Sequence, residues 1–333
     1  MKKLVRIILG IVVLIVAIAA CGVGYLFIAF PKAAAASDVR IAATPEMLAR
    51  GEYLSKHVSI CLDCHSERDF EKFSGPIKPG TWGKGGEAFD KTVDPTMPGA
   101  VYAKNITPSG IGSWTDGELL RALTDGVSRD GTPLFPLMPY EHFGQMSEDD
   151  LHAIIAYIRT LKPIENTVPE RSLDFPMNLI VRTIPAPASF KPRPPASDTI
   201  AYGEYLTNAA LCSACHTPMD SQGQALPGKA FAGGTTFTHP KYGFRIVTAN
   251  ITPDADTGIG SWTEQQFVDK FKGFETPSDH LLGEEEQRQN TAMPWTQFAG
   301  MTREDLGAIY KYLRTLQPVV NRINKHPDAT SDR

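Results

Sequence analysis

The chain has 333 residues, 26 prolines, 28 glycines and a formal net charge of −4. That charge is too mild to imply a nucleic-acid partner. Proline at about 8%, against a usual ~5%, favours short helices joined by long irregular loops over a large regular sheet, and the length sets a prior of two domains.

In chain order, Lys2, Lys3 and Arg6 precede an uncharged apolar run from Ile7 to Phe30, with Lys32 after it. At ~1.5 Å per residue the run spans roughly 36 Å as a helix, enough to cross a ~30 Å hydrocarbon core. Residues 1–31 are therefore expected to form one membrane-spanning anchor. The basic N-terminus should stay cytoplasmic, which places the rest outside. A cleaved signal peptide is the rival reading, and Ile18-Ala19-Ala20-Cys21 resembles a lipoprotein signal with Cys21 as the lipidated residue. Gly22 to Phe30 stays apolar past any such cut, as a retained span does. Every version exports the rest of the chain.

The body repeats itself. Gly51-Glu52-Tyr53-Leu54 returns as Gly203-Glu204-Tyr205-Leu206, and Asn105-Ile106-Thr107-Pro108 as Asn250-Ile251-Thr252-Pro253. Gly110-Ile111-Gly112-Ser113-Trp114-Thr115 returns as Gly258-Ile259-Gly260-Ser261-Trp262-Thr263, and Arg159-Thr160-Leu161-Lys162-Pro163 as Arg314-Thr315-Leu316-Gln317-Pro318. The order holds while the spacing drifts, so insertions belong to loops. This is one module used twice, over 41–162 and 198–318, rather than a solenoid.

Each repeat reads as three short helices. The first in repeat one opens at Thr44-Pro45, an N-cap followed by proline at the first helical position, and runs towards Cys61. The second opens at Thr115, with a capping box to Glu118 whose twin is Thr263 with Gln266. The third opens at Ser147, and Leu151, Ile154, Ile155, Ile158 and Leu161 form an apolar stripe at helical spacing. Its twin is Leu306, Ile309, Tyr310, Leu313 and Leu316; both stripes are core. Gly51 and Gly203 are expected where first and third helices cross closely. Residues 163–197 are a proline-rich connector with no helix and no central strand, whose Phe175, Leu179, Ile180 and Val181 should pack on a module surface. The tail, 319–333, is polar and expected to fray.

The chemistry lies in a pentapeptide that also occurs twice: Cys61-Leu62-Asp63-Cys64-His65 and Cys212-Ser213-Ala214-Cys215-His216. Cys-x-x-Cys-His is the attachment signature of c-type haem. Two thiols at this spacing bond the two vinyl groups of one porphyrin, and the histidine becomes the proximal iron ligand. A structural zinc site needs four ligands from paired half-sites, but each motif sits in its own repeat. A thioredoxin-like thiol pair sits near a βαβ pattern, which is not visible here. Two covalent haems c are therefore expected.

A low-spin iron needs a sixth ligand. Met138-Pro139-Tyr140 and Met293-Pro294-Trp295 occupy equivalent places between second and third helices, so Met138 and Met293 are assigned that role. A thioether favours ferrous iron and raises the potential. Met97-Pro98 is a decoy without a counterpart in the second repeat. His57, His142 and His280 also lack counterparts and are read as ordinary surface or loop histidines.

These motifs resemble a family: the membrane-anchored multihaem c-type cytochromes of bacteria. They are especially similar to cytochrome subunits serving periplasmic alcohol, aldehyde and sugar-acid dehydrogenases. The likeness rests on the two Cys-x-x-Cys-His motifs, the paired Asn-Ile-Thr-Pro and Gly-Ile-Gly-Ser-Trp-Thr blocks, and Met-Pro ahead of each last helix. It covers residues 41 to 318. Those subunits typically carry three haem modules, and this chain has two. The resemblance implies a mostly α fold, two tandem cytochrome c-like haem domains with long loops behind one transmembrane helix. It implies a single-pass protein of the bacterial inner membrane with its haem domains in the periplasm. Its role would be to relay electrons from a donor dehydrogenase or quinol-side complex to an acceptor oxidase or soluble cytochrome, without being an enzyme itself. A dihaem cytochrome c peroxidase is the alternative. It needs one iron with an open position, against which a methionine opposite each iron argues; a thiosulfate-oxidising dihaem enzyme is a weaker alternative.

Overall fold

A computed structural model of the chain describes residues 2–220 and 223–329. It is mostly helical. Lys2–Ala29 is one continuous helix, long and apolar enough to cross a membrane, and none of it is buried in the body. Its C-terminal carbonyls are met from a distance. Arg182 Nη2 donates to Phe30 O at 3.0 Å, and the guanidinium lies 4.4 Å from the Phe27 ring centroid.

The helix starts follow the caps in the sequence. Thr44 caps Pro45–Tyr53, its hydroxyl accepting from Met47 N. Thr115 and Glu118 close the capping box of Asp116–Thr124, and Thr263 with Gln266 that of Glu264–Lys272. Ser147 caps Glu148–Ile158, and Thr302 caps Arg303–Leu313. Each cap gives orphan amides at a helix start a partner three residues away.

Opening and closing helices cross at glycine in both repeats. A Cβ on Gly51 would stand 1.9 Å from Ala153 O, and one on Gly203 2.0 Å from Ala308 O. Only a residue without a side chain lets the two backbones come this near. The stripes Leu151, Ile154, Ile155 and Leu306, Ile309, Leu313 are buried in one continuous hydrophobic cluster spanning both repeats.

Three segments differ from the sequence reading. The first helix does not run straight to Cys61: after Tyr53 it widens into a π-helical turn over Leu54–Val58. The connector is not free of helix. It holds the one-turn helix Met177–Ile180, a 3₁₀ turn Val181–Thr183, and an edge strand Ser172–Leu173 on a three-stranded sheet with Ala88–Phe89 and Gly99–Tyr102. Between Pro176 and Pro185 no proline removes an amide, which leaves room for a turn. Of its apolar residues Val181 is buried, whereas Phe175 is 79% exposed.

The tail is not frayed as far as residue 329; residues 330–333 lie outside the described residues. Val319 O accepts from Asn250 Nδ2 at 2.7 Å, Asn321 Nδ2 donates to Ala232 O at 2.9 Å, and Val247 N to Lys325 O at 2.9 Å. The first repeat is strapped alike, with Asn105 Nδ2 to Ile164 O at 2.8 Å and Asn166 Nδ2 to Lys84 O at 2.9 Å. Asparagines of the body bond the strap's backbone and asparagines of the strap bond the body's, so its low hydrophobicity does not loosen it.

Candidate haem sites

Both Cys-x-x-Cys-His turns are built the same way. Each is a single helical turn, Cys61–Cys64 and Cys212–His216, approached through a left-handed residue that is not glycine: Ile60 at φ 43° and Leu211 at φ 58°. A β-branched residue rarely adopts this conformation, and strain of this kind is held only where packing overdetermines it. Ile60 is buried at 8% exposure. The sequence signal, an apolar residue before the first cysteine in both copies, was there but carried no meaning by itself.

The histidines are oriented by backbone. His65 Nδ1 lies 2.7 Å from Lys104 O, and His216 Nδ1 2.7 Å from Ala249 O. A carbonyl can only accept, so Nδ1 carries the proton and Nε2 is left with its lone pair, the arrangement found in metal-ligating histidines. Burial pushes both imidazole pKa values down against the opposing carbonyl bond, which favours the neutral, ligating form.

Lys104 and Ala249 directly precede the repeated Asn-Ile-Thr-Pro block, and that block holds the carbonyls still. Asn105 Oδ1 accepts from Thr107 N at 2.9 Å and Thr107 Oγ1 at 2.7 Å; Asn250 Oδ1 accepts from Thr252 N at 3.0 Å and Oγ1 at 2.8 Å. Gly85 N then donates to His65 O at 2.8 Å and Gly233 N to His216 O at 2.7 Å. Both glycines have positive φ, and a Cβ there would come within 2.5 Å of Lys104 C or 2.4 Å of Ala249 C. Two motifs that the sequence shows as separate repeats thus form one device around the histidine.

Met138 and Met293 stand just ahead of the one-turn helices Tyr140–Phe143 and Trp295–Phe298, with Pro139 and Pro294 at the N-cap positions. Both methionines are half-buried and, like Cys212, pack against the cluster that includes Cys61. Met97 is buried in its own loop. No disulfide ties the four motif cysteines. Desolvation pushes the Cys61 and Cys212 thiols up to about 12, away from the range of a reactive thiolate. Donor set and tautomer therefore fit a covalently attached haem in each repeat.

The two turns lie within electrostatic reach of each other. The Cys64 thiol, although exposed at the surface, is pushed up to about 12, first by desolvation, then by Asp63, with Arg68 opposing and Cys61 and, from the other repeat, Cys215 adding to it. Asp63, after burial, raises Cys215 in turn. Asp63 is itself buried and meets Arg68 Nη1 at 3.2 Å.

The non-motif histidines are not all surface residues. His57 Nδ1 is 2.9 Å from Gln297 O, and His142 Nδ1 is 2.8 Å from Asn208 Oδ1, so both sit at the junction between repeats. His280 pairs with Glu286 at 3.0 Å on the surface.

Helical repeats built round Cys-x-x-Cys-His turns, with histidines oriented for a metal, are features of c-type cytochromes, and comparison with known proteins agrees. The chain is similar to the cytochrome c subunits of bacterial dehydrogenases. It is 30% identical over 301 residues to the cytochrome c subunit of alcohol dehydrogenase (quinone) from Gluconacetobacter polyoxogenes, a match covering 84% of this chain and 58% of the relative. To the fructose dehydrogenase cytochrome subunit of Gluconobacter japonicus it is 28% identical, over 81% of this chain and 52% of the relative. A diheme cytochrome c-type protein of Cereibacter sphaeroides matches at 27% identity over 46% of this chain and 54% of its own length. The chain thus spans less than two thirds of the curated relatives it matches. No family model matches it.

Proposed function

We propose that this chain is a membrane-anchored dihaem c-type cytochrome that relays single electrons on the periplasmic side of a bacterial inner membrane. Residues 41–162 form one haem domain and 198–318 the other, with 163–197 connecting them and Lys2–Ala29 as the retained anchor. The donor is a dehydrogenase or quinol-side complex and the acceptor an oxidase or a soluble cytochrome. The names of the relatives support a place as the electron-transfer subunit of a dehydrogenase complex.

Bound haem supplies one-electron chemistry at iron. The chain's own residues attach, orient and shield it. Cys61 and Cys64, and Cys212 and Cys215, are the attachment thiols. His65 and His216 would hold the iron through Nε2, since the Lys104 and Ala249 carbonyls hold Nδ1. Met138 and Met293 would be the other protein ligands. The observation that carries the reading is this histidine–carbonyl bond, made twice at 2.7 Å through the same repeated block.

The test separates carrier from enzyme. Haem-loaded, full-length protein should be six-coordinate and low-spin when oxidised, half-reduced and reduced. It should bind carbon monoxide poorly and turn over hydrogen peroxide no faster than free haem. A high-spin population on half-reduction, with rapid peroxide turnover, overturns the carrier reading in favour of a peroxidase.

A further inference from the structure

Ser74 belongs to the first repeat, nine residues after His65, yet its partners lie in the second. It is fully buried. Its hydroxyl donates to Met293 O at 2.7 Å and accepts from Trp295 N at 2.9 Å, so it touches the backbone on both sides of Pro294. Its own amide donates to Asn290 Oδ1 at 2.9 Å. Asn290 is buried too, and its Nδ2 reaches Phe70 O and Lys72 O, each at 3.3 Å, on the same first-repeat loop. Phe73 stacks on Phe274 with ring centroids 5.5 Å apart, and Phe274 lies 5.3 Å from Trp295.

The loop that makes these contacts is stiff. Arg68 donates to Ser74 O at 2.6 Å and Gly75 O at 2.9 Å, while also pairing with Asp63 inside the first attachment turn. Ser74 sits at φ 65°, a left-handed conformation that serine adopts at a cost. Strain is thus accepted where a hydroxyl meets the Met293 segment. The inner bond is common to both repeats, Trp295 N to Met293 O at 2.8 Å and Tyr140 N to Met138 O at 2.8 Å. What differs is the bond from outside: among the described residues, no side chain of the second repeat bonds the Met138–Tyr140 backbone as Ser74 bonds that of Met293 and Trp295.

We propose that Ser74 is a positioning residue for Met293: a side chain of the first repeat fixes the segment carrying the sixth ligand of the second. The proposal rests on the reading of Met293 as that ligand. A thioether is a weak neutral donor, so its bond to ferric iron depends on how firmly its backbone is held, as for other ligands oriented by outer partners.

The experiment uses the full-length, haem-loaded protein. Its readouts are the methionine–iron charge-transfer band of the ferric state and the two midpoint potentials. Ser74→Gly removes the hydroxyl while suiting the left-handed backbone; Ser74→Ala removes it and keeps the strain. In a Met138→His background, where the band comes from the second repeat alone, both substitutions should remove most of it and lower that haem's potential. In a Met293→His background, Ser74→Gly should leave the remaining band at full strength, although Ser74 is close in sequence to the first haem's turn. An unchanged band in the first background overturns the proposal, as does a band lost equally in both. If Met293→His alone leaves the band intact, the ligand reading fails first and the proposal with it. If Met293→His halves the band and Ser74 variants do nothing, only the proposal fails.

Discussion

Tyr205, in the opening helix of the second repeat, donates its hydroxyl to Asp150 Oδ2 of the first repeat's closing helix at 2.7 Å. The same oxygen of Tyr205 lies 3.3 Å from Ser147 N, so it also serves the start of that helix. The equivalent residues exchange the same contact in reverse. Tyr53 donates to Asp305 Oδ2 at 2.6 Å and accepts from Thr302 N at 3.1 Å. Each repeat therefore bonds the start of the other's closing helix, in a reciprocal exchange that ties the two repeats together.

Tyr205→Phe leaves Asp150 short of a charge-assisted hydrogen bond and should cost about 2 kcal/mol of stability. Tyr53→Phe should cost a similar amount. Denaturant unfolding checks both. Neither should alter haem content, because neither residue belongs to an attachment turn.

Asp150 gives a pH dependence. Its side chain is 1% exposed and bound by Arg50 through two bonds of 2.9 Å and by Arg193 at 2.6 Å. Burial pushes its carboxyl up, but Arg50, Tyr205 and Arg193 outweigh that and hold it below the usual carboxylate range. A carboxyl lowered by folding contributes stability that is full above the unfolded pKa of about 3.9 and is lost as pH falls through the folded value. Asp150→Asn should therefore be much less stable than wild type at neutral pH, and the gap should narrow below about pH 4. A gap that stays constant down to about pH 2 would contradict the assignment.

The mature protein should carry two covalent haems. Intact mass under denaturing conditions is the measurement, and Cys61→Ala/Cys64→Ala should remove one haem equivalent while Cys212→Ala/Cys215→Ala removes the other. A single haem in the unsubstituted protein refutes the proposed pair.

Met138→His and Met293→His should each lower the potential of one haem, since imidazole favours ferric iron relative to a thioether. The other haem should stay nearly where it was. A spectroelectrochemical titration resolves the two, and a substitution that leaves both haem spectra untouched removes that methionine from the ligand set.

Replacing residues 1–31 with a cleavable signal should release a soluble, haem-loaded body. That body loses the seat that Arg182 makes on Phe27 and Phe30. If it still sediments with membranes, a second contact surface holds it there.

Much was legible in the sequence because it is local. Cys-x-x-Cys-His sets its chemistry within five residues, helix caps act over three, and apolar stripes repeat every three or four. Thr44, Thr115, Ser147 and Thr263 accordingly open helices where the sequence places them. The repeats of Gly51 and Gly203 likewise foretold the close crossings.

Packing alone decided the rest. The carbonyl that orients His65 comes from Lys104, 39 residues away, and the tyrosine–aspartate exchange joins Tyr53 to Asp305 across 252 residues. Such bonds leave no local pattern, since any exposed tyrosine or backbone carbonyl looks the same in the chain. The polar tail looked loose because hydrophobicity measures burial, whereas it is held by hydrogen bonds that Val319 and Asn321 make with Asn250, Thr252 and Ala232. Ser74 is the extreme case: a serine in an ordinary-looking loop whose place against Met293 exists only once both repeats have folded together.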